Sequence, residues 1–290
     1  MIHDPTAVTP ESLDEVYDLL AERGRRAKII AGGTDLMVAL NAGSLATKEF
    51  IDIRRLNELR GIEDEGETIR VGALTTYTQL IKSPLVQRSV PALAEASRTI
   101  GAIQIQNRGT IGGNVVNASP AGDSLPVLAA FDAELEIGSA RGVRKIDFNR
   151  FYTGYRQTVM EPDEILLAVR LGKLRQNERS FFFKVGTRRA QAISKIVMAV
   201  KAGTKGALIN YISVALGSVA PTVIRARQTE SLLTNATLDV TIIELAKRTI
   251  FNEIDPITDM RSTEHYRRTV TGNALAKVLR RQVLLDGNKS

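Results

Sequence analysis

The chain has 290 residues, 39 Lys+Arg against 32 Asp+Glu for a formal net charge of +7, two His, no Cys and no Trp. Its 43% hydrophobic and 24% charged shares are those of a folded globular protein and exclude disordered or collagen-like chains. Without cysteine, disulfides, thiolate catalysis, zinc ribbons and a Cys-ligated iron–sulfur cluster on this chain are excluded, and His3 and His265 alone argue against a multi-histidine metal site.

Taken in chain order, Ser12 to Glu15 has capping-box spacing, and Leu13, Val16, Leu19 and Leu20 share one helical face before Gly24 ends the helix. Lys28–Ala31 reads as a short strand. Gly32 to Asp35 breaks it, Leu36–Leu40 resumes as helix, and Phe50–Ile53 is a second strand. Ile69–Ala73 opens a second unit, with Thr76 or Thr78 capping a helix through Leu80 and another helix at Pro91–Ser97. Residues 101–123 form an unusual stretch rich in Gly, Asn, Gln and Thr, followed by a helix at Ser124–Phe131 and a strand at Ala133–Ile137. Glu164–Leu171, Phe181–Val185, Ile196–Val200 and Leu208–Leu216 read as strands, and helices near Val240–Phe251 and His265–Leu285 close the chain. The pattern is α+β, strand clusters separated by helices, with no internal repeat.

The positive charge is scattered as pairs such as Arg54-Arg55 and Arg280-Arg281 among acidic residues, and aromatics are only 5%, which argues against a nucleic-acid partner. No apolar run approaches the ~20 residues of a membrane span. Residues 1–5 lack the charged start and apolar core of a signal peptide, so the expected location is cytoplasmic.

Two glycine turns carry the chemistry. In Ile29-Ile30-Ala31-Gly32-Gly33-Thr34-Asp35-Leu36 the glycines join a strand to a helix, where backbone N–H groups can approach phosphate oxygens. The spacing is neither G-x-G-x-x-G nor a Walker loop, and the alternative is a plain tight turn. In Thr110-Ile111-Gly112-Gly113-Asn114, continued to Asp123, amides and Thr/Asn side chains suit phosphate oxygens and the Asp123 carboxylate suits sugar or ribityl hydroxyls. The alternative there is a buried, self-satisfied loop. Two such turns in one chain favour an extended, dinucleotide-like ligand gripped from two sides.

These two segments, in this order, resemble the flavin subunit of the molybdenum hydroxylases, the family of xanthine dehydrogenase, carbon monoxide dehydrogenase and aldehyde oxidoreductase in its separate medium-subunit form. Asn117-Ala118-Ser119-Pro120-Ala121-Gly122-Asp123, Gly154-Tyr155-Arg156, Pro162–Leu166, Lys184 with Arg188–Ser194, and Ala220-Pro221-Thr222 also look like this family, so the likeness spans nearly the whole chain. The resemblance implies a two-lobed FAD-binding domain over 1–172 (lobes about 1–58 and 59–172) of the type shared with vanillyl-alcohol oxidase, followed by a smaller α+β C-terminal domain over 173–290. It implies noncovalent FAD held by Ile29–Leu36 and Thr110–Asn114 at the pyrophosphate and adjoining ribityl. Asp123 would accept from ligand hydroxyls, Ile100 and Leu166 would lie against the rings, and Lys184 would point into the site. By spacing alone Ile100 and Leu166 read as core and Lys184 as surface. Gln106 stands where many relatives have Arg, which would weaken an anionic contact or shift it to Arg108.

The same resemblance places iron–sulfur clusters on a small partner subunit and molybdopterin on a large one, in a heterotrimer or a dimer of heterotrimers. Electrons would pass from them to this chain and on to NAD+, oxygen or a quinone. No acid, base or nucleophile is required, and no catalytic residue is expected. The alternatives are a stand-alone flavin oxidase of the vanillyl-alcohol-oxidase type, for which the segment after Leu171 is short as a substrate domain, and a non-catalytic nucleotide-binding assembly protein.

Overall fold

The computed structural model describes residues 5–45, 47–188 and 191–280. His3 and the end of the helix expected through Leu285 lie outside these residues.

The first lobe is a small parallel sheet. Strand Glu49–Asp52 lies between Thr6–Val8 and Ala27–Ile30 and is parallel to both. Helix Leu13–Arg23 begins at Ser12, whose side chain accepts from the Glu15 N–H. The Glu15 carboxylate reaches back to the Glu11 N–H rather than to Ser12, so only half of the expected capping box forms. Its buried residues Val16 and Leu20 pack with Ala27, Ile51 and Ile53, and with Ile165 and Leu167 of the neighbouring lobe, so the two lobes share a core. Helix Leu36–Asn41 has no buried residue and sits on the outside.

The second lobe is a five-stranded antiparallel sheet in the order Ile62–Asp64, Thr68–Gly72, Ile165–Gly172, Glu134–Ser139, Gly142–Asp147. Its core gathers Ile69, Val71, Leu135, Ile137 and Val169 with Leu93, Leu125 and Leu128. The Gly/Asn-rich stretch, which carries no element in the sequence reading, contains two short helices, Ile103–Arg108 and Ile111–Asn117. Tertiary contacts override weak helix propensity there. Thr110 caps the second helix by accepting from Gly113 N–H, and the Tyr152 hydroxyl donates to the Val115 carbonyl at 2.9 Å. Tyr152 is itself fixed by edge-on packing against Phe148 and Phe151, at ring separations of 5.4 and 5.1 Å.

The third unit is an antiparallel sheet, Glu178–Val185, Ile196–Lys205, Leu208–Gly217 and Ile224–Arg225, covered by helices Arg227–Leu233, Val240–Asn252 and Glu264–Val278. Successive residues of a strand face opposite sides. Phe181 and Phe183 therefore pack with Met198 and Val200 under these helices, whereas Phe182, Ala199 and Ala215 join the core of the second lobe. Ser180, Phe182 and Lys184 share that inner side, and the Ser180 hydroxyl accepts from the Ala92 N–H. This alternation turns Lys184 toward the second lobe rather than into solvent.

Candidate functional site

Strands Ala27–Ile30 and Glu49–Asp52 run in register with Ile30 opposite Asp52, and Ile53 N–H donates to the Ile30 carbonyl. The chain then leaves the sheet at Ala31 and turns through Gly32 and Gly33. Gly33 has φ +73°, a left-handed conformation that favours glycine. Gly32 is required for a different reason. A Cβ there would lie 2.1 Å from the Arg108 carbonyl oxygen and 2.9 Å from Gly109 Cα. The first turn thus abuts the backbone just before Thr110, and the two glycine segments meet at one seam. A Cβ on Gly113 would lie 3.9 Å from the Ala31 Cβ, across the same seam.

The two segments offer different donors. Among the described residues, the main-chain N–H groups of Gly32, Gly33, Thr34 and Asp35 have no partner. By contrast, Ile111 N–H donates to Thr75 O, Gly112 N–H to Ala73 O, Asn114 N–H to Thr110 O and Gly113 N–H to Thr110 Oγ1. Gly112 is a packing residue, since a Cβ there would meet Ala73 Cβ at 2.6 Å. The second segment is therefore fastened to the sheet of its own lobe. What it presents to the seam is the exposed face of Gly113 and the side chain of Asn114, whose Oδ1 accepts from Ser124 Oγ at 2.7 Å. A cavity of about 250 Å³ opens beside Ala31 and Gly32, bounded by Arg54, Arg60, Leu74, Thr76, Asn107, Arg108 and Thr110.

At the junction with the third unit, Asp123 and Lys184 meet. Lys184 Nζ donates to Asp123 Oδ2 at 2.5 Å and to the Thr99 carbonyl at 3.0 Å, and the side chains are 11% and 8% exposed for Lys184 and Asp123. Burial pushes the Asp123 carboxyl up to about 6, against the opposing pull of Lys184 and of the Thr99 and Ser194 hydroxyls. Asp123 Oδ1 is buried without a partner, as is the Tyr77 hydroxyl. A buried carboxylate oxygen with no donor is uncommon in a native fold and needs an explanation. The loop before it is pinned from the third unit by Ser218 N–H to Pro120 O at 2.8 Å and Ser194 Oγ to Ala121 O at 3.3 Å.

The remaining sequence candidates lie nearby. Ile29 and Ile30 end their strand half-buried, Leu36 starts the outer helix, and Asp35 is exposed at its N-cap position without a side-chain bond. Ile100 is half-buried against the second lobe's core, while Leu166 is 3% exposed within that core, opposite Ile137. Gln106 Nε2 donates to the Arg98 and Ile100 carbonyls, so it buttresses the end of helix Pro91–Arg98 rather than facing the seam. Sequence reasoning missed Tyr77, Thr99, Arg54 and Arg60. Only Thr76 beside them was signalled, and it forms the full capping box with Gln79. Among the described residues no nucleophile–base pair occurs at the seam; its donors, cations and orphaned acceptor are equipment for binding an anionic, hydroxyl-bearing ligand.

The family of FAD binding domains in molybdopterin dehydrogenases matches residues 4–173, and the carbon monoxide dehydrogenase flavoprotein C-terminal domain matches residues 181–282. The xanthine dehydrogenase FAD-binding subunit of Escherichia coli O157:H7 is 34% identical over 96% of both chains. The nicotinate dehydrogenase FAD-subunit of Eubacterium barkeri is 35% identical over 81% of each. Among solved structures, carbon monoxide dehydrogenase from Hydrogenophaga pseudoflava, in a form lacking the Mo-pyranopterin moiety, superimposes with a TM-score of 0.93 at 30% identity, covering 97% of this chain and 98% of that one. This chain carries an FAD-binding domain and belongs to the FAD-binding, medium-subunit family of the xanthine and carbon monoxide dehydrogenases, an oxidoreductase family.

Proposed function

We propose that this chain holds FAD noncovalently along the seam between its glycine segments and serves as the electron-output subunit of a molybdenum hydroxylase. A small iron–sulfur subunit and a large molybdopterin subunit are the partners, the assembly is a heterotrimer or its dimer, and NAD+ is the favoured acceptor. The working location is the cytoplasm; among the described residues no helix is long and apolar enough to cross a membrane. The division into an FAD-binding part and a C-terminal part falls near residue 172.

The residues suit FAD in two respects. The amides of Gly32 to Asp35 are unpartnered, and their turn is held at the seam by Gly32, where a side chain could not fit against Arg108. The orphaned Asp123 Oδ1 is an acceptor for ligand hydroxyls. When bound, FAD supplies one- and two-electron redox chemistry that no side chain of this chain provides. The protein's part is binding and orientation. Gly32 to Asp35 donate to phosphate oxygens, and Asn114 and Thr110 line the second bank. Asp123 accepts from hydroxyls while Lys184 holds its other oxygen, and Ile100 gives an apolar surface at the ring end. Leu166 acts from inside the core by setting the backbone of its strand.

The single observation that carries this reading is the closure of Gly32 onto Arg108 and Gly109. The purified chain is expected to be yellow, to release intact FAD on denaturation, and to be reduced when the partner subunits and their substrate are added. A colourless chain that takes up no FAD at micromolar concentration refutes it, and a flavin reduced by a simple alcohol without partners would favour a stand-alone oxidase.

A further inference from the structure

Arg60 and Arg108 are distinguished from the other arginines without an ion-pair partner by their place at the cavity beside Gly32. Arg70, Arg144, Arg170, Arg225 and Arg267 all have carboxylate partners. Among the described residues, neither Arg60 nor Arg108 has a carboxylate within ion-pair distance, yet both line the cavity beside Gly32. Arg60 follows the short helical turn Asn57–Leu59, and Arg108 ends helix Ile103–Arg108.

Strands Ala27–Ile30 and Glu49–Asp52 end together with Ile30 opposite Asp52, and the turn after the second brings Arg54 to the cavity that Gly32 lines. Arg54 is neutralised by Asp52, which its Nη2 meets at 2.6 Å, and hydrogen bonding by Arg54 holds that carboxyl below its usual range against the opposing push of burial. The main-chain carbonyl of Arg54 in turn accepts from Arg60 Nη2 at 2.7 Å and holds the Arg60 guanidinium at the cavity. Arg108 is fixed through its backbone, because its carbonyl is the atom against which Gly32 rests.

Two guanidiniums without a carboxylate partner, on residues that line one small cavity, repel each other and lack a counter-ion. Planar, multidentate donors of this kind match phosphate oxygens. We infer that Arg60 and Arg108 form a cationic clamp that closes on the diphosphate of the bound dinucleotide. This rests on the FAD reading above and adds to it: Arg60 and Arg108 supply the charge, so that the glycine turn supplies only fit.

The test is FAD binding to the full-length apo chain by quenching of flavin fluorescence, over a series of salt concentrations, for wild type, Arg60→Gln, Arg108→Gln and the surface control Arg150→Gln. Each clamp variant is expected to weaken FAD by about ten-fold or more, the worth of one charge-assisted hydrogen bond. Each is also expected to flatten the salt dependence, because the lost contact is the screened one. Arg150→Gln is expected to keep both wild-type values. The Arg108 side chain is exposed, so its replacement leaves the fold intact and serves as the deciding variant should Arg60→Gln misfold. Wild-type affinity and salt slope in the clamp variants overturn the inference while leaving FAD binding in place. A wild-type chain that takes up no FAD overturns the function reading beneath it as well.

Discussion

Replacing Gly32 by Ala separates the two uses of glycine in the first turn. The new methyl carbon would lie 2.1 Å from the Arg108 carbonyl oxygen and 2.8 Å from its carbonyl carbon. Carbon–oxygen contacts in folded proteins settle near 3.3 Å, so the turn and the Arg108 backbone must part by roughly 1 Å. Both sides are main chain, and neither can rotate away. Overpacking of this kind costs about 1–3 kcal/mol of stability. The same displacement moves the free amides of Gly32 to Asp35 off their ligand. A hydrogen bond to a charged group contributes about 1.5–3 kcal/mol, so the loss of one lowers FAD affinity by at least ten-fold. Gly33→Ala is the matched comparison. Its Cβ would meet only the side chains of Met37 at 3.6 Å and Ile30 at 3.9 Å, but φ is +73°, which costs about 1–2 kcal/mol of backbone strain and no separation of the seam. Calorimetry of the apo chain reads stability, and fluorescence titration with FAD reads affinity. The two variants are expected to lose similar stability and to differ in affinity, Gly32→Ala being the weaker binder. Equal affinity for Gly32→Ala and wild type, or a weaker Gly33→Ala, refutes the reasoning.

FAD affinity is expected to depend on pH through Asp123. Its carboxyl is raised to about 6 by burial, so the acceptor form is complete above that value and is lost as pH falls below it. If only the ionised form binds, affinity falls by about ten-fold per pH unit below 6, and Asp123→Asn binds weakly with no such step; titrations from pH 5 to 8 check this. Arg225 bridges Glu230 in the third unit to Asp132 and the Ala129 carbonyl in the second lobe, and its side chain is 5% exposed. Arg225→Met strands the buried Glu230 carboxylate and is expected to cost about 3–5 kcal/mol by denaturant unfolding. Thr76→Ala removes the cap of helix Tyr77–Lys82 and is expected to cost about 1 kcal/mol in the same assay, without altering the FAD salt dependence.

The sequence carries the strand–turn–helix around Gly32 and the strand at Phe181–Val185 because local periodicity fixes them. Lys184's inward direction is not in the spacing, which reads it as surface; it follows by alternation once Phe182 is seen to pack with the second lobe. Other features depend on pairings that no local pattern encodes. The helix Ile111–Asn117 contains two glycines and reads as loop, and it exists because Ala73 and Thr75 take its first amides and Tyr152 takes Val115. For the same reason the glycines of the two turns, alike as letters, differ in purpose. Gly32 yields to another backbone, Gly33 turns the chain, and Gly112 packs against Ala73. Arg54 and Arg60 carry no signal at all, since they reach the first turn only through the way the segment after Asp52 folds back to the cavity. Contacts between segments distant in sequence thus decide where the charge of the site lies. That is why the glycine segments could be found by spacing while the arginines beside them could not.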